Sequence, residues 1–294
     1  MRLILFDANA LIHRAYHAIP HLSTRKGEPT GAVYGFVSMI LKALSELKAS
    51  YWACAFDYPA PTFRHRVLPS YKAQRPAIPS ELKTQTRRAR EVVEVFGMPL
   101  YELEGYEADD ILGTLSYQAE NMGMETIIIS GDTDTLQLVS DKVRVMVPKP
   151  QRPFSDTIIY DEKLVEERYE VPPKLLPDLK ALKGDPSDNI PGVPGIGEKT
   201  AIRLLKTFGS IEGIYERIEE VEPLSLRKVL KEREGEVRRS KSLTLIRRDL
   251  PIKLELDRCE LGRFDRKKVV ELFRELEFFS LLPRLPGELS LIHI

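Results

Sequence analysis

The chain has 294 residues, 43% of them apolar and 30% charged, with Lys plus Arg and Asp plus Glu balanced at 44 each. That length buries a core without staples. Two cysteines make no disulfide scaffold, and no run approaches the roughly 18 apolar residues that span a membrane. The expectation is a cytoplasmic protein without a leader, built as one large domain or two modest ones. Zero net charge removes a global positive field as an argument for nucleic-acid binding but leaves local patches open.

Leu3–Phe6, Tyr51–Phe56 and Thr126–Ile129 read as buried strands, with Val143–Val147 and Thr157–Tyr160 as two more. Between the first two, Gly31–Leu47 places Val33, Phe36, Val37, Ile40, Leu41, Leu44 and Leu47 on a helical stripe. His13, His17 and His21 precede it on a loop or helix start and read as structural or solvent-facing. Leu82–Phe96 and Gly105–Met122 are further helices. Helices alternating with strands predict a mostly parallel sheet covered on both faces. The prolines from Pro59 to Pro79 mark a surface excursion over one end of that sheet. After Pro172 and Pro173 the pattern turns helical: Lys174–Lys183, Glu198–Phe208, Leu224–Arg233, Glu236–Ile246 and Arg266–Leu272. Residues 286–294 read as a disordered tail.

Carboxylates stand at the ends of three predicted strands: Asp7, Asp57 and, after Ser130–Gly131, Asp132. Open parallel sheets bind ligands outside the carboxyl ends of their strands, so these acids can converge. Glu107, Asp109 and Asp110 at a helix start, Asp134, and Asp185 with Asp188 in a Gly/Pro-rich loop can join them. Any one group has an ordinary explanation as a cap or turn. Together they demand cations, because so many acids in one cleft repel strongly. An all-oxygen donor set favours Mg²⁺ or Mn²⁺, and two such ions make a phosphodiester hydrolysis centre.

Charge is segregated along the chain. Pro61–Arg90 carries Arg64, Arg66, Lys72, Arg75, Lys83, Arg87, Arg88 and Arg90 against Glu81, with Phe63 and Tyr71 among them. This predicts a rim that grips phosphates and stacks bases. Arg227–Arg248 is a second basic stretch. Between them, GVPGIGEKTAIRLLKTFGS (192–210) reads as a Gly-rich turn opening a helix. Gly195 and Gly197 shape the turn, and Lys199, Arg203 and Lys206 share one helix face. Backbone N–H groups there suit a phosphate without reading bases.

EADD at Glu107–Asp110, YKAQR at Tyr71–Arg75, SGDTD at Ser130–Asp134 and the block Gly184–Ala201 together resemble the 5′-nuclease (flap endonuclease) family. The likeness is nearest to the N-terminal 5′→3′ exonuclease domain of bacterial DNA polymerase I and covers about residues 1–285. It implies a PIN-like α/β core over 1–171 with a helical arch near 60–90. A helical DNA-binding subdomain follows over 172–285, with a helix-hairpin-helix-like element near 189–210. The resemblance assigns metal ligation to Asp7, Asp57, Glu107, Asp109, Asp110, Asp132, Asp134, Asp185 and Asp188. Asp7, Asp57, Glu107 and Asp109 are expected nearer one ion, and Asp110, Asp132, Asp134 and Asp185 nearer the other. It makes Lys72 and Arg75 clamps on the scissile phosphate and puts Arg14 near the first metal-binding strand. Arg87 and Arg88 read as DNA attractors.

The implied activity is structure-specific 5′→3′ exonuclease and 5′-flap endonuclease cleavage of DNA, serving RNA primer removal and repair. The implied partners are branched or flapped duplex DNA, including RNA-primed strands, and a polymerase module; the chain is expected as a monomer near the nucleoid. K⁺ can sit at the helix-hairpin-helix-like element. Ala8 replaces the glycine common after the first Asp, and Thr133 stands where relatives often carry Lys or Arg; neither change removes a ligand. The rival readings are a PIN-type ribonuclease, a non-catalytic junction binder and a haloacid-dehalogenase-like phosphatase, the last wanting D-x-D where Asp7–Asn9 stands.

Overall fold

The structure, a computed structural model, describes residues 1–149, 156–262 and 264–286. Six strands form one sheet in the order β3-β2-β1-β4-β5-β6: β1 Arg2–Asp7, β2 Tyr51–Ala55, β3 Leu100–Tyr101, β4 Glu125–Ile129, β5 Val143–Pro148 and β6 Thr157–Tyr160. The first five pair in parallel and β6 closes the edge antiparallel. The five predicted strands are present. The two-residue β3 was not expected, since so short a segment carries no period.

Helices α1 Ala8–Ala18, α2 Gly31–Glu46, α3 Phe63–Val67, α4 Ser80–Val95, α5 Ala108–Asn121 and α6 Glu162–Tyr169 accompany the sheet. Then come α7 Leu176–Lys183, α8 Glu198–Phe208, α9 Ile211–Glu216, α10 Leu224–Glu232, α11 Glu234–Thr244, α12 Leu256–Cys259 and α13 Arg266–Glu275. Of the three early histidines, His13 and His17 ride on α1, which Asp7 caps by accepting a bond from the Ala10 amide, and His21 lies in the turn beyond it. The cap lets a helix start directly at a strand end. The expected tail beyond residue 286 lies outside the described residues.

Alternation along β1 explains the two cores. Leu3 and Leu5 face one side, Ile4 and Phe6 the other, and all four are fully buried. The Ile4/Phe6 side is covered by α1, α2, α4 and α13, with Phe36, Val92 and Phe273 in one cluster. On the Leu3/Leu5 side, Ile111 and Leu115 of α5 continue without a break into Leu182, Leu205 and Val237 of α7, α8 and α11. The C-terminal helices therefore extend the sheet's own core. The chain then recrosses, so that α13 packs on the opposite face. No helix among the described residues is long and apolar enough to cross a membrane.

Candidate metal and nucleic-acid site

Strand order determines where the acids gather. From β1 the chain moves outward to β2 and β3, then returns to place β4 on the other flank of β1. A crevice opens at such a reversal. Asp7 ends β1, and Ser130, just past β4, donates to its carboxylate at 2.5 Å. The same Ser130 oxygen accepts from the Asp132 amide. Asp57, two residues beyond β2, accepts from the Ala108 amide at 2.8 Å. That bond docks the start of α5 against the strand ends and brings Asp109 beside Asp7 and Asp132.

Electrostatics show the strain of this assembly. Burial, followed by Asp57 and Asp132, lifts the Asp7 carboxyl to about 7. Asp57 is raised by burial and Glu107, and Asp109 well above the usual carboxylate range by burial and then by Asp7 and Asp132. Asp134 is raised to about 7, chiefly by burial and then by Asp132. Buried acids that resist ionisation are what a bound cation relieves.

Asp134, Asp185 and Asp188 form a second lobe, their carboxylate oxygens within 4.8 Å of one another. A protein cation is seated there. Lys180, on α7, bonds Asp134 and lies 2.6 Å from Asp185. Burial opposes ionisation of Asp185, yet Lys180 and Ser187 together hold it below the usual range. Arg75 bonds Asp188 at 2.6 Å, and Lys72 bonds Glu107 at 2.9 Å. The donor set is carboxylate throughout, and ammonium and guanidinium groups occupy it as counter-ions, so it fits a hard divalent cation.

The excursion after Asp57 folds over these acids as expected. Its base is buckled to the 185–190 loop. The Lys72 amide bonds the Asp188 carbonyl, Gln74 bonds the Pro186 and Ser187 carbonyls, and Asn189 bonds the Ser70 carbonyl. Lys72 adopts φ +54, a region costly for a residue with a Cβ. The neighbouring Gly184 has φ +84, and a Cβ on Gly192 would lie 2.3 Å from the Lys183 backbone. Only glycine lets the two ends of that loop meet so closely.

Three expectations fail on geometry. Asp110 is fully buried with both oxygens held by Arg64, at 2.6 and 2.8 Å, and it also accepts from the Glu107 and Arg247 amides. It caps α5 and anchors the excursion, and its lone pairs are committed. Tyr71 is not placed to stack on a base. Its ring is buried against His65, and its hydroxyl lies 3.1 Å from Glu107 and 3.0 Å from Asp188. Arg88 is spent on Glu28, Glu91 and Glu275. With Arg64 buried and Arg90 on Glu102, the basic rim is weaker than its composition implied. Phe63, half-buried, packs beneath the Arg64 and Arg247 guanidiniums. The second basic stretch is similarly neutralised: Arg227, Lys231, Arg233, Arg238 and Lys241 all meet Glu or Asp.

Exposed cations remain. Arg75 is half exposed and Arg87 is 69% exposed. Lys199, Arg203 and Lys206 line the outer face of α8, opposite buried Ala201, Ile202, Leu205 and Phe208; Lys206 also pairs with Glu170. Gly195 and Gly197 stand at the turn before α8, with nothing within 4 Å of where a Cβ would project. Arg14 reaches the Gly131 carbonyl at 3.4 Å, beside the end of β4.

The model of the 5′-3′ exonuclease N-terminal resolvase-like domain matches residues 2–170, and that of the 5′-3′ exonuclease C-terminal SAM fold matches residues 171–267. The chain belongs to the 5′-3′ exonuclease family. Among its relatives in this family are the DNA polymerases I of Bacillus caldotenax, 44% identical over 98% of this chain, and of Bacillus subtilis, 43% identical over 97%. The chain spans about a third of the length of these relatives: 33% and 32%. The structure of the T5 5′-exonuclease with bound divalent metal ions (zinc) superposes with a TM-score of 0.70 at 25% identity, over 83% of this chain and 89% of that one. The expected fold holds: a mostly parallel sheet flanked by helices and followed by a helical domain.

Sequence reasoning missed one residue at the centre of the acid cluster, Lys180. Its spacing of five before Asp185 places it one helical turn back and close to the loop, but a lysine near a helix end also reads as dipole compensation.

Proposed function

We propose that this chain hydrolyses DNA phosphodiester bonds where a 5′ end meets a duplex, acting as a 5′→3′ exonuclease and 5′-flap endonuclease. The carrying observation is the meeting, at the reversal of strand order, of Asp7, Asp57, Asp109 and Asp132 with the phosphate-gripping candidates Lys72 and Arg75. We assign one divalent cation to Asp7, Asp57, Glu107 and Asp109, and a second to Asp132, Asp134 and Asp185 with Asp188 beside them. Asp110 belongs to neither. Mg²⁺ or Mn²⁺ bound there supplies an activated water and charge stabilisation on the phosphoryl oxygens.

The chain's own groups do the rest. Lys72 and Arg75 stand on an excursion tied to the 185–190 loop, so a phosphate laid across the acids meets two fixed cations. Lys72 suits a point contact, while the Arg75 fork spans two oxygens. Lys199 and Arg203 on α8, with the open space around Gly195 and Gly197, suit the duplex backbone without reading sequence. The same reading puts K⁺ at the carbonyls of this turn. It also makes an RNA-primed strand a substrate, a polymerase module the natural companion, and the chain a monomer acting in the cytoplasm at the nucleoid.

Cleavage of a 5′-labelled flap, compared with single-stranded RNA and p-nitrophenyl phosphate, tests the assignment. The flap should be cut only with Mg²⁺ or Mn²⁺, leaving a 3′-hydroxyl and a 5′-phosphate. Preferential RNA cleavage would favour the PIN-type ribonuclease reading. Flap binding without cutting would favour a junction binder.

A further inference from the structure

We propose that His13 and His17 form a two-imidazole binding site for a borderline transition-metal ion such as Zn²⁺, separate from the carboxylate centre. The two side chains project from the same face of α1 at a spacing of four. Their Nε2 atoms face each other at 3.4 Å, and the ring centroids are 4.6 Å apart. That distance is long for a hydrogen bond, whose N–H···O counterpart runs about 2.7–3.2 Å. It matches two nitrogens on a tetrahedral ion: with Zn–N bonds of about 2.0–2.1 Å, ligand atoms stand about 3.3–3.4 Å apart.

Chemistry separates this site from its neighbour. His13 lies six residues into α1, about 9 Å along the axis from Asp7. Its donors are imidazoles, which Zn²⁺ prefers and Mg²⁺ does not. Burial, then His17 and Arg75, holds the His13 imidazole below its ordinary titration range; this favours the neutral form that ligates, while the Arg75 charge works against the incoming cation. Both residues keep solvent-accessible surface, so the pair can be reached from solvent even though His13 is partly desolvated. Tyr16 packs edge-on against His17 and steadies it. With two protein ligands, the remaining positions on the ion would be filled by water, fewer protein ligands than either a structural or a catalytic zinc site carries.

The test is a Zn²⁺ titration of the full chain in a large excess of Mg²⁺, followed by long-range ¹H–¹⁵N spectra of the imidazoles. The Nε2 signals of His13 and His17 should move together with the first equivalent, while those of His21 and His65 stay. In His13→Asn or His17→Asn, the remaining ring should need about tenfold more Zn²⁺ or greater. A thermal melt confirms that each variant is folded; a variant that fails it is replaced by Gln at the same position. Movement of one ring alone, movement of neither, or an unchanged Zn²⁺ requirement in both variants overturns the proposal.

Discussion

Lys180 donates to Asp185 Oδ2 at 2.6 Å, and the same ammonium bonds Asp134. An internal cation thus stands among acids assigned to a divalent metal. Its ammonium is stabilised in turn: burial works against it, but Asp134 and Asp185 raise it to a level where it stays charged. Lys180→Met should lower the stability of the metal-free protein by about 1–3 kcal/mol, less than a fully buried pair because the side chain is 22% exposed. The stabilisation given by Mg²⁺ should grow by a similar amount. Calorimetric melts with EDTA and with Mg²⁺ measure both; equal Mg²⁺ shifts in variant and wild type would contradict this role.

Asp110 and Asp109 are adjacent yet should behave oppositely. Asp110→Asn leaves the Arg64 guanidinium buried without a full counter-charge and should cost about 3–5 kcal/mol. Asp109→Asn removes a charge from a crowded acid set and should stabilise the metal-free fold while weakening metal binding. Chemical denaturation and Mn²⁺ titration on both variants check the contrast. Weaker Mn²⁺ binding in a folded Asp110→Asn protein would restore Asp110 to the ligand set.

Stability should depend on pH in a direction set by the raised acids. Asp7 titrates near 7 in the fold, against 3.8 for an ordinary Asp. Between those values the native state holds a proton that the unfolded chain releases. The resulting stabilisation is fully present below about pH 4 and is lost as pH rises through about 7. Asp134 acts the same way. The metal-free protein should therefore lose this contribution on going from about pH 5 to about pH 8, and Asp7→Asn should flatten the slope. Mg²⁺ displaces those protons, so its melting-temperature gain should be larger at about pH 8 than at about pH 6. A wild-type slope identical to that of Asp7→Asn would contradict the assignment.

Lys72 and Arg75 should separate in single-turnover kinetics on a flap substrate. Lys72→Ala should slow the saturated cleavage rate roughly tenfold or more with a smaller change in affinity, because a fixed charge at the phosphoryl oxygens acts in the transition state. Arg75→Ala should affect both, since its grip serves ground-state binding too. Arg87→Ala should alter affinity and its salt dependence alone. A saturated rate near wild type in Lys72→Ala would reduce that residue to an attractor.

Gly195 and Gly197 offer a test of the duplex contact. Gly197 has open space around its missing Cβ and an ordinary negative φ of −89, so its own fold does not require glycine. Gly197→Ala should melt within about 0.5 kcal/mol of wild type yet bind duplex DNA more weakly with metal binding unchanged. Undiminished DNA affinity would place the backbone contact elsewhere.

The sequence alone was enough for five of the six strands, the longer helices from α2 onward and the acids on the sheet's edge. The reasons are local: a buried parallel strand is an apolar run, a helix shows its stripe, and an Asp after such a run must lie at a strand end. The motifs from Tyr71 to Arg75, Glu107 to Asp110 and Gly184 to Ala201 pointed to the family on the same terms. The sequence leaves helix α1 open between a loop and a helix start, because its cap, Asp7, reads equally as a strand-end acid. What each charge faces was not local, and only the tertiary structure decided it. Asp110 meets Arg64 across 46 residues of chain, Arg88 meets Glu275 across 187, and Lys180 meets Asp134 across 46. Composition counts such charges as a basic rim or an acidic cleft. Folding cancels some of them in pairs, because a buried charge must find its opposite, and leaves the remainder for the proposed metal and phosphate contacts.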